Sequence, residues 1–299
     1  MLIYGTMSLS NVYKPIGHSQ GEQLLNQAYA KGIKLFHSAY HYGYGSVYHQ
    51  INTLKHLQEI ELIIKIMGDP KRIFNGVDGI NNFFSIVHKP IIDYMQLVPT
   101  ADDYADGYTI KDIINDVNNK GPLFHILQEL KNCNKVKYIG IELREEEDIL
   151  PIIESGFFSF TVNDHSIIRQ VIHSTIIHKK ILQSSIKVFA IRPLASGWLT
   201  KKYATLSDFV QGDLRREWYY PGEEYRKTVV KEIEKYKMNI EEAAIRFLKN
   251  ERIIKGIIIG MSNERQLNYN YRLSKYPPLQ STLYKNLKHL FKQPIILEP

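Results

Sequence analysis

Short runs of consecutive apolar residues recur along the chain. They alternate with stretches whose apolar positions lie three and four apart. The runs are Leu2-Ile3-Tyr4, Ile33 to Phe36, Leu62 to Lys65, Ile91 to Val98, Val136 to Ile141, Phe158 to Val162, Ile186 to Ile191 and Ile254 to Ile259. They are continuous rather than alternating, as strands are when both faces are buried in a parallel sheet. Between them Leu24, Leu25 and Ala28, then Ile51, Leu54 and Leu57, then Ile80, Phe83, Phe84 and Val87 repeat with helical period. Leu123 to Leu130, Ile149 to Ile153 and Ile167 to Leu182 do the same. Gly32 is placed to cap the first helix. Asn239 with Glu242 has the form of a capping box before Ala243, Ala244, Phe247 and Leu248. The last helices are expected over 263–273 and 281–291. Polar segments at about 99–121 and 195–222 predict long loops after strands four and seven.

Eight strands alternating with helices in 299 residues predict an α/β fold, a single (β/α)8 TIM barrel over residues 1–299. An open doubly wound sheet is the competing topology. It is disfavoured because no Gly-x-Gly-x-x-Gly follows a strand; Gly43-Tyr44-Gly45 leads to Tyr48 instead.

Composition narrows the class. The chain is 44% hydrophobic and 23% charged, as globular proteins are. Its net charge of +7 is dispersed, in pairs such as Lys179-Lys180 and Lys201-Lys202. That argues against nucleic acid and suits an anionic small ligand. One cysteine, Cys133, excludes an intramolecular disulfide and points to a reducing compartment. Met1 to Gly5 has no charged segment or long apolar core, so no export signal is expected, and no apolar run is long enough to span a bilayer. A cytoplasmic protein is expected.

Barrel sites form at the C-terminal ends of strands. Those exits are His37, Lys65, Val98, Glu142, Val162, Ile191 and Gly260. Tyr42 follows His37 by one loop turn, so His37, Tyr42, Lys65 and Glu142 are expected at one mouth. His37, His41, His49 and His165 show no metal-ligand spacing, and no metal is predicted. His41 reads as a solvated loop residue. Trp218-Tyr219-Tyr220 reads as a pocket wall or as an anchor for its loop.

Several motifs in this order resemble the aldo-keto reductase family. Phe36-His37-Ser38-Ala39-Tyr40-His41-Tyr42-Gly43 is similar to its Phe-Asp-Thr-Ala-x-x-Tyr-Gly motif. Lys65 stands at its strand-three lysine, and Asp93 to Val98 resembles its strand-four motif. Lys135 to Ile141, Pro193 to Tyr203 and Gly260 to Asn270 resemble further segments, the last of which holds the adenosine half of the cofactor. The resemblance implies hydride transfer from NADPH to a small-molecule carbonyl, a sugar or nucleotide sugar among the candidates. It implies Tyr42 as proton donor, Lys65 as the neighbour that lowers its pKa, and His37 in place of an aspartate. Glu142, Arg192, Leu194, Gly260, Ser262, Arg265 and Asn270 are the implied cofactor contacts.

The chain also departs from the pattern. His37 replaces the carboxylate that keeps the lysine charged. Val98 replaces the strand-four histidine that orients the carbonyl. Glu142-Leu143, Val162 and Ile191 stand where the family has its Ser-Asn pair, Gln and aromatic stacker. Two alternatives to a reductase therefore stay open: non-redox acid/base chemistry by His37, Tyr42 and Glu142, and a binding protein with an inactive site.

Overall fold

The structure, a computed structural model, describes residues 1–291 except 12, 14, 15, 102, 210, 212, 214 and 216–221. Eight strands close into a barrel: β1 (Leu2–Gly5), β2 (Leu35–Ser38), β3 (Glu61–Met67), β4 (Ile92–Val98), β5 (Val136–Leu143), β6 (Phe160–Asp164), β7 (Lys187–Ile191) and β8 (Ile254–Gly260). Neighbours pair in parallel in chain order, and β8 returns to β1. β3 and β6 each run two residues past the exits read from sequence, to Met67 and Asp164.

The barrel interior decides what reaches the mouth. Ile3, Leu35, Ile63, Tyr94, Phe160, Val162, Phe189 and Ile258 form one buried cluster, separate from the larger core under the helices. Side chains on a strand alternate between faces, so two residues further on the chain points inward again. Ile3 leads to Gly5, Leu35 to His37, Ile63 to Lys65, Tyr94 to Gln96, Val162 to Asp164, Phe189 to Ile191 and Ile258 to Gly260. The apolar plug thus carries a layer of mostly polar or bare positions on its upper side. Tyr138, packed against the plug, leads by two such steps through Gly140 to Glu142. Gly140 is required there, because an added Cβ would lie 2.5 Å from the Phe160 carbonyl oxygen.

Helices cover the outside. The first three are α1 (His18–Ala30), α2 (Ser46–Asn52) and α3 (Ile80–Ile86). Gly32 does cap α1: its φ is +85°, its N–H reaches Tyr29 O at 2.8 Å, and Ile33 N reaches Ala28 O at 3.1 Å. Leu54 and Leu57 lie beyond the end of α2. The segment expected as a loop over 99–121 contains α4 (Ile110–Asn118), opened by a Thr109–Asp112 capping box. Ile110, Ile113, Ile114 and Val117 are its buried stripe. α5 (Pro122–Asn132) and α6 (Ile149–Glu154) follow. α7 spans only Thr175–Gln183, because Ser174 caps it and the preceding residues turn to bridge His165 with Gln170. α8 (Gly222–Glu234) was not expected from the sequence. α9 (Ile240–Asn250) starts after Asn239, but no capping box forms there, since Asn239 makes no side-chain cap bond and Glu242 binds Arg246 instead. α10 (Glu264–Lys275) and α11 (Ser281–Leu290) complete the shell. No described helix is long and apolar enough to cross a membrane. Cys133 is exposed at the end of α5, just before β5 begins, so it lies on the face opposite the mouth.

Candidate active site

Four adjacent strands each deliver one polar side chain to the inner wall of the mouth. His37 comes from β2, Lys65 from β3, Gln96 from β4 and Glu142 from β5. His37 Nε2 lies 2.9 Å from Gln96 Oε1. Gln96 Nε2 donates to Glu142 Oε2 at 3.2 Å, and Lys65 Nζ lies 3.5 Å from the same oxygen. Arg144, just past β5, approaches Glu142 Oε1 at 3.5 Å. Because the Gln96 amide donates to a carboxylate, its oxygen faces His37, which makes Nε2 the protonated nitrogen of that ring.

This wiring corrects one expectation. His37 was expected to leave Lys65 without a carboxylate, yet Glu142 supplies one from β5. Burial pulls the Lys65 pKa down, but Glu142, Tyr42 and Asp78 outweigh it and hold the ammonium above the ordinary lysine value. Burial pushes Glu142 up, and Lys65, Arg144 and Arg192 outweigh that, so its carboxyl sits below the usual range. Both oxygens of Glu142 are engaged by the site's own side chains. His37 does not compete for the charge: burial and then Lys65 push its ring down to about 4, against Gln96 and Glu142.

Tyr42 sits in the loop between β2 and α2. The loop turns sharply through left-handed Gly43, Tyr44 and Gly45, with φ of +69°, +48° and +89°, which is why glycines flank the turn. Tyr42 is only 5% exposed. Burial pushes its pKa up to about 12, opposed by Lys65 and reinforced by Asp78. The lysine thus acts in the expected direction, but burial outweighs it, and the phenol stays loaded with its proton. His41 is not a free loop residue. Its backbone N–H donates to Asp78 Oδ1 at 2.9 Å, and its Nδ1 bonds to Asp78 Oδ2. Its ring meets Tyr42 edge to face, with centroids 4.6 Å apart.

The opposite wall of the mouth is bare. Gly5 of β1 and Gly260 of β8 are paired, both facing inward, and a Cβ on Gly260 would come within 3.4 Å of the Ser8 side chain. Such a wall lets a flat ring or a phosphate approach the backbone. Past it, α10 opens with Ser262 before Asn263, whose side chain caps Gln266 N at 2.9 Å. Gln266 Oε1 in turn accepts from Ser262 N at 2.8 Å. Arg265 is exposed in the first turn of α10, where helix dipole and guanidinium both favour an anion. Asn270 is 4% exposed further along the same helix. Arg192, with φ +52°, places Nη1 3.0 Å from Asp164 Oδ2, and Leu194 is half-buried against the core. Glycine wall, helix N-terminus and arginine together fit a dinucleotide. Trp218-Tyr219-Tyr220 lies outside the described residues. Among the described residues, no three His, Cys, Asp or Glu side chains are grouped to hold a metal ion.

Comparison with known proteins gives the same outline. The aldo/keto reductase family profile matches residues 1–291. The chain belongs to the aldo/keto reductase family. It is 25% identical over 231 residues to aldo-keto reductase yakc [NADP(+)] of Schizosaccharomyces pombe, covering 72% of this chain. The chain spans 64% of that relative's length. Its fold is that of glycerol dehydrogenase AKR11B4 from Gluconobacter oxydans, with TM-score 0.74, 17% identity and 98% and 93% of the two chains covered. The holo form of aldo-keto reductase AKR11C1 from Bacillus halodurans superposes with TM-score 0.72 at 17% identity, over 97% and 91%.

Within this aldo/keto reductase barrel, the structure brings His37, Lys65 and Glu142 into one network. It keeps Tyr42 coupled to Lys65 through charge. Arg265, Ser262 and Asn270 lie on or beside α10. Sequence reading missed Gln96, Arg144 and Asp78. Gln96 had a signal, as the one amide inside the apolar run Ile92–Val98. Asp78 had none, because it reaches His41 from a loop 37 residues away.

Proposed function

We propose that the protein is a nicotinamide-dependent oxidoreductase that reduces the carbonyl group of a small molecule, with NADPH as the reductant. The observation that carries this reading is the Lys65–Glu142 pair. It keeps an ammonium charged near Tyr42 although the usual carboxylate position holds His37. When bound, the nicotinamide supplies the hydride. Tyr42 donates the proton that turns the developing alkoxide into an alcohol, and Lys65 stabilises the phenolate left behind. Gly5 and Gly260 leave room for the cofactor. Arg265 at the α10 N-terminus takes the 2′-phosphate, which favours NADPH over NADH, and Ser262, Asn270, Arg192 and Leu194 are the further contacts. The NADP(+) in the name of the yeast relative supports the same choice.

One observation favours a second reading. Val98 at the end of β4 offers no hydrogen bond to a carbonyl, and Leu143, Val162 and Ile191 offer none to a carboxamide. A site that kept the barrel and lost hydride transfer would look the same at these four positions.

Titration with NADPH and NADH by nicotinamide fluorescence, followed by assay on an aldehyde and ketone panel, separates the two. The reductase reading expects saturable NADPH binding and turnover. Tyr42→Phe should lower turnover by about 100- to 10,000-fold and leave cofactor affinity nearly unchanged. Absence of binding at millimolar cofactor would sink it.

A further inference from the structure

The net charge of +7 is dispersed along the chain but not in space. The helices run back against the strands, so the turns that lead into β2 to β8 gather on the face opposite the mouth. These turns are three to eight residues long, which keeps that face low and flat. We take for each turn the last four residues of the preceding α-helix and the first two of the strand, and add the last four of α10. This face then holds 14 Lys and Arg against 6 Asp and Glu. The whole chain has 38 against 31, so a face of +8 sits on a remainder of −1. Two of the six acids are engaged from within: Asp93 holds Lys89, and Glu251 holds Lys288 of α11.

Lys34, Lys135, Lys137, Lys187, Lys255 and Lys275 are exposed on this face. Lys137 and Lys187 stand 5.2 and 5.3 Å from the centre of one ring, that of Tyr138. Lys31 and Lys275 stand 5.7 and 4.7 Å from the centre of another, that of Tyr271. Like charges are thus brought together in pairs. Glu61 reaches Lys137 at 3.9 Å, but Lys34, Lys135, Lys187, Lys255 and Lys275 make no ion pair among the described residues. Charge of one sign gathered this way repels itself, and an anionic partner relieves the repulsion.

Three features say which partner. Of the 14 cations 12 are lysines, which are hydrated point charges without the planar fork that grips one phosphate in two places. A flat face brings many such charges within a Debye length of a plane at once, whereas a duplex is a convex rod and touches a flat face along one strip. Met1 and Leu182 lie on the same face with 67% and 45% exposure. Exposed apolar side chains among lysines gain from an interface that has both headgroups and hydrocarbon, and gain nothing from nucleic acid. We propose that the face opposite the mouth adsorbs to an anionic phospholipid surface, with its lysines among the headgroups and Met1 and Leu182 reaching below them. Adsorption needs no spanning helix, and it leaves the mouth turned to the solution.

The test is sedimentation of the full chain with vesicles of phosphatidylcholine alone or with about 30% phosphatidylserine, at ~0.1 M salt. Binding should appear on the anionic vesicles only and fade as salt is raised. Lys137→Gln with Lys187→Gln should weaken it about 30-fold, at about fivefold for each cation removed. Lys71→Gln with Lys201→Gln, on the mouth side, should change it little. Circular dichroism checks the folding of each variant, and Lys135→Gln with Lys255→Gln replaces the first pair should that variant misfold. An environment-sensitive dye on Cys133, between Lys131 and Lys135, should shift to the blue on the same vesicles. No binding to either vesicle, equal binding to both, or equal loss in the two double variants overturns the proposal, as does binding without a response at Cys133. Duplex DNA or RNA bound more tightly than the anionic vesicles at the same salt overturns lipid as the partner and gives the face to nucleic acid. The mouth takes no part in these measurements, so none of them bears on the reductase reading.

Discussion

Glu142 on β5 and Lys65 on β3 meet at 3.5 Å across the strand that separates them, and Gln96 of that intervening strand donates to the same carboxylate oxygen. The carboxylate that serves Lys65 therefore comes from β5, and His37 on β2 faces the mouth as a ring that burial keeps neutral. Both side chains are largely enclosed, at 20% and 15% exposure.

Glu142→Gln should leave Lys65 without a counter-ion. Loss of one member of an enclosed pair costs about 3 kcal/mol of stability. Turnover should fall by about 10- to 100-fold, because an ammonium beside Tyr42 is then harder to keep charged. Adding His37→Asp to Glu142→Gln returns a carboxylate to β2, and turnover should recover to within about tenfold of wild type if the charge itself is what matters. Urea denaturation and steady-state kinetics read the two effects separately. A double variant as impaired as the single one would mean that Glu142 acts through something other than Lys65.

Arg265→Ala tests the cofactor's phosphate end. A charge-assisted contact to a phosphate is worth about 1.5–3 kcal/mol, so NADPH affinity should weaken by about 10- to 150-fold. NADH affinity should change little. Equal weakening of both cofactors would place the phosphate elsewhere.

Acid should destabilise the fold above the range where carboxylates titrate. His37 and His165 are each pushed down to about 4, by burial first in both cases. Their folded values lie below the unfolded one of 6.5. The unfolded chain therefore binds more protons between those limits, and stability falls as pH drops from 6.5 to about 4. The full loss is about 3 kcal/mol for each ring. His165→Phe, which touches none of the network at the mouth, should remove roughly half of that loss between pH 7 and 4.5 in urea titrations. A wild type equally stable at both pH values would contradict it.

Much of the barrel could be read from local pattern. Continuous apolar runs gave all eight strands, because a strand buried on both faces has no polar beat to hide it. Helices with polar faces were harder. The pattern predicts a loop where α4 stands, because Asp and Asn dilute its stripe of Ile110, Ile113, Ile114 and Val117. α8 has Val229 and Ile233 buried within a run of charged residues. The capping box expected at Asn239 is absent, and the one at Thr109 went unread. The site divides in the same way. Tyr42, Lys65 and His37 announce themselves through a local motif and strand exits. The Lys65–Glu142 pair, the Gln96 bridge and the His41–Asp78 bond join residues 77, 46 and 37 positions apart, and only closure of the barrel brings them together.

The position of Cys133 has a practical consequence. It is the only thiol in the chain, exposed, and on the face opposite the mouth. A maleimide or gold surface would therefore attach every molecule at one point and in one orientation, with the mouth turned to the solution. A layer of molecules tethered this way would leave the mouth open to any small molecule supplied from the free side, without any engineered handle.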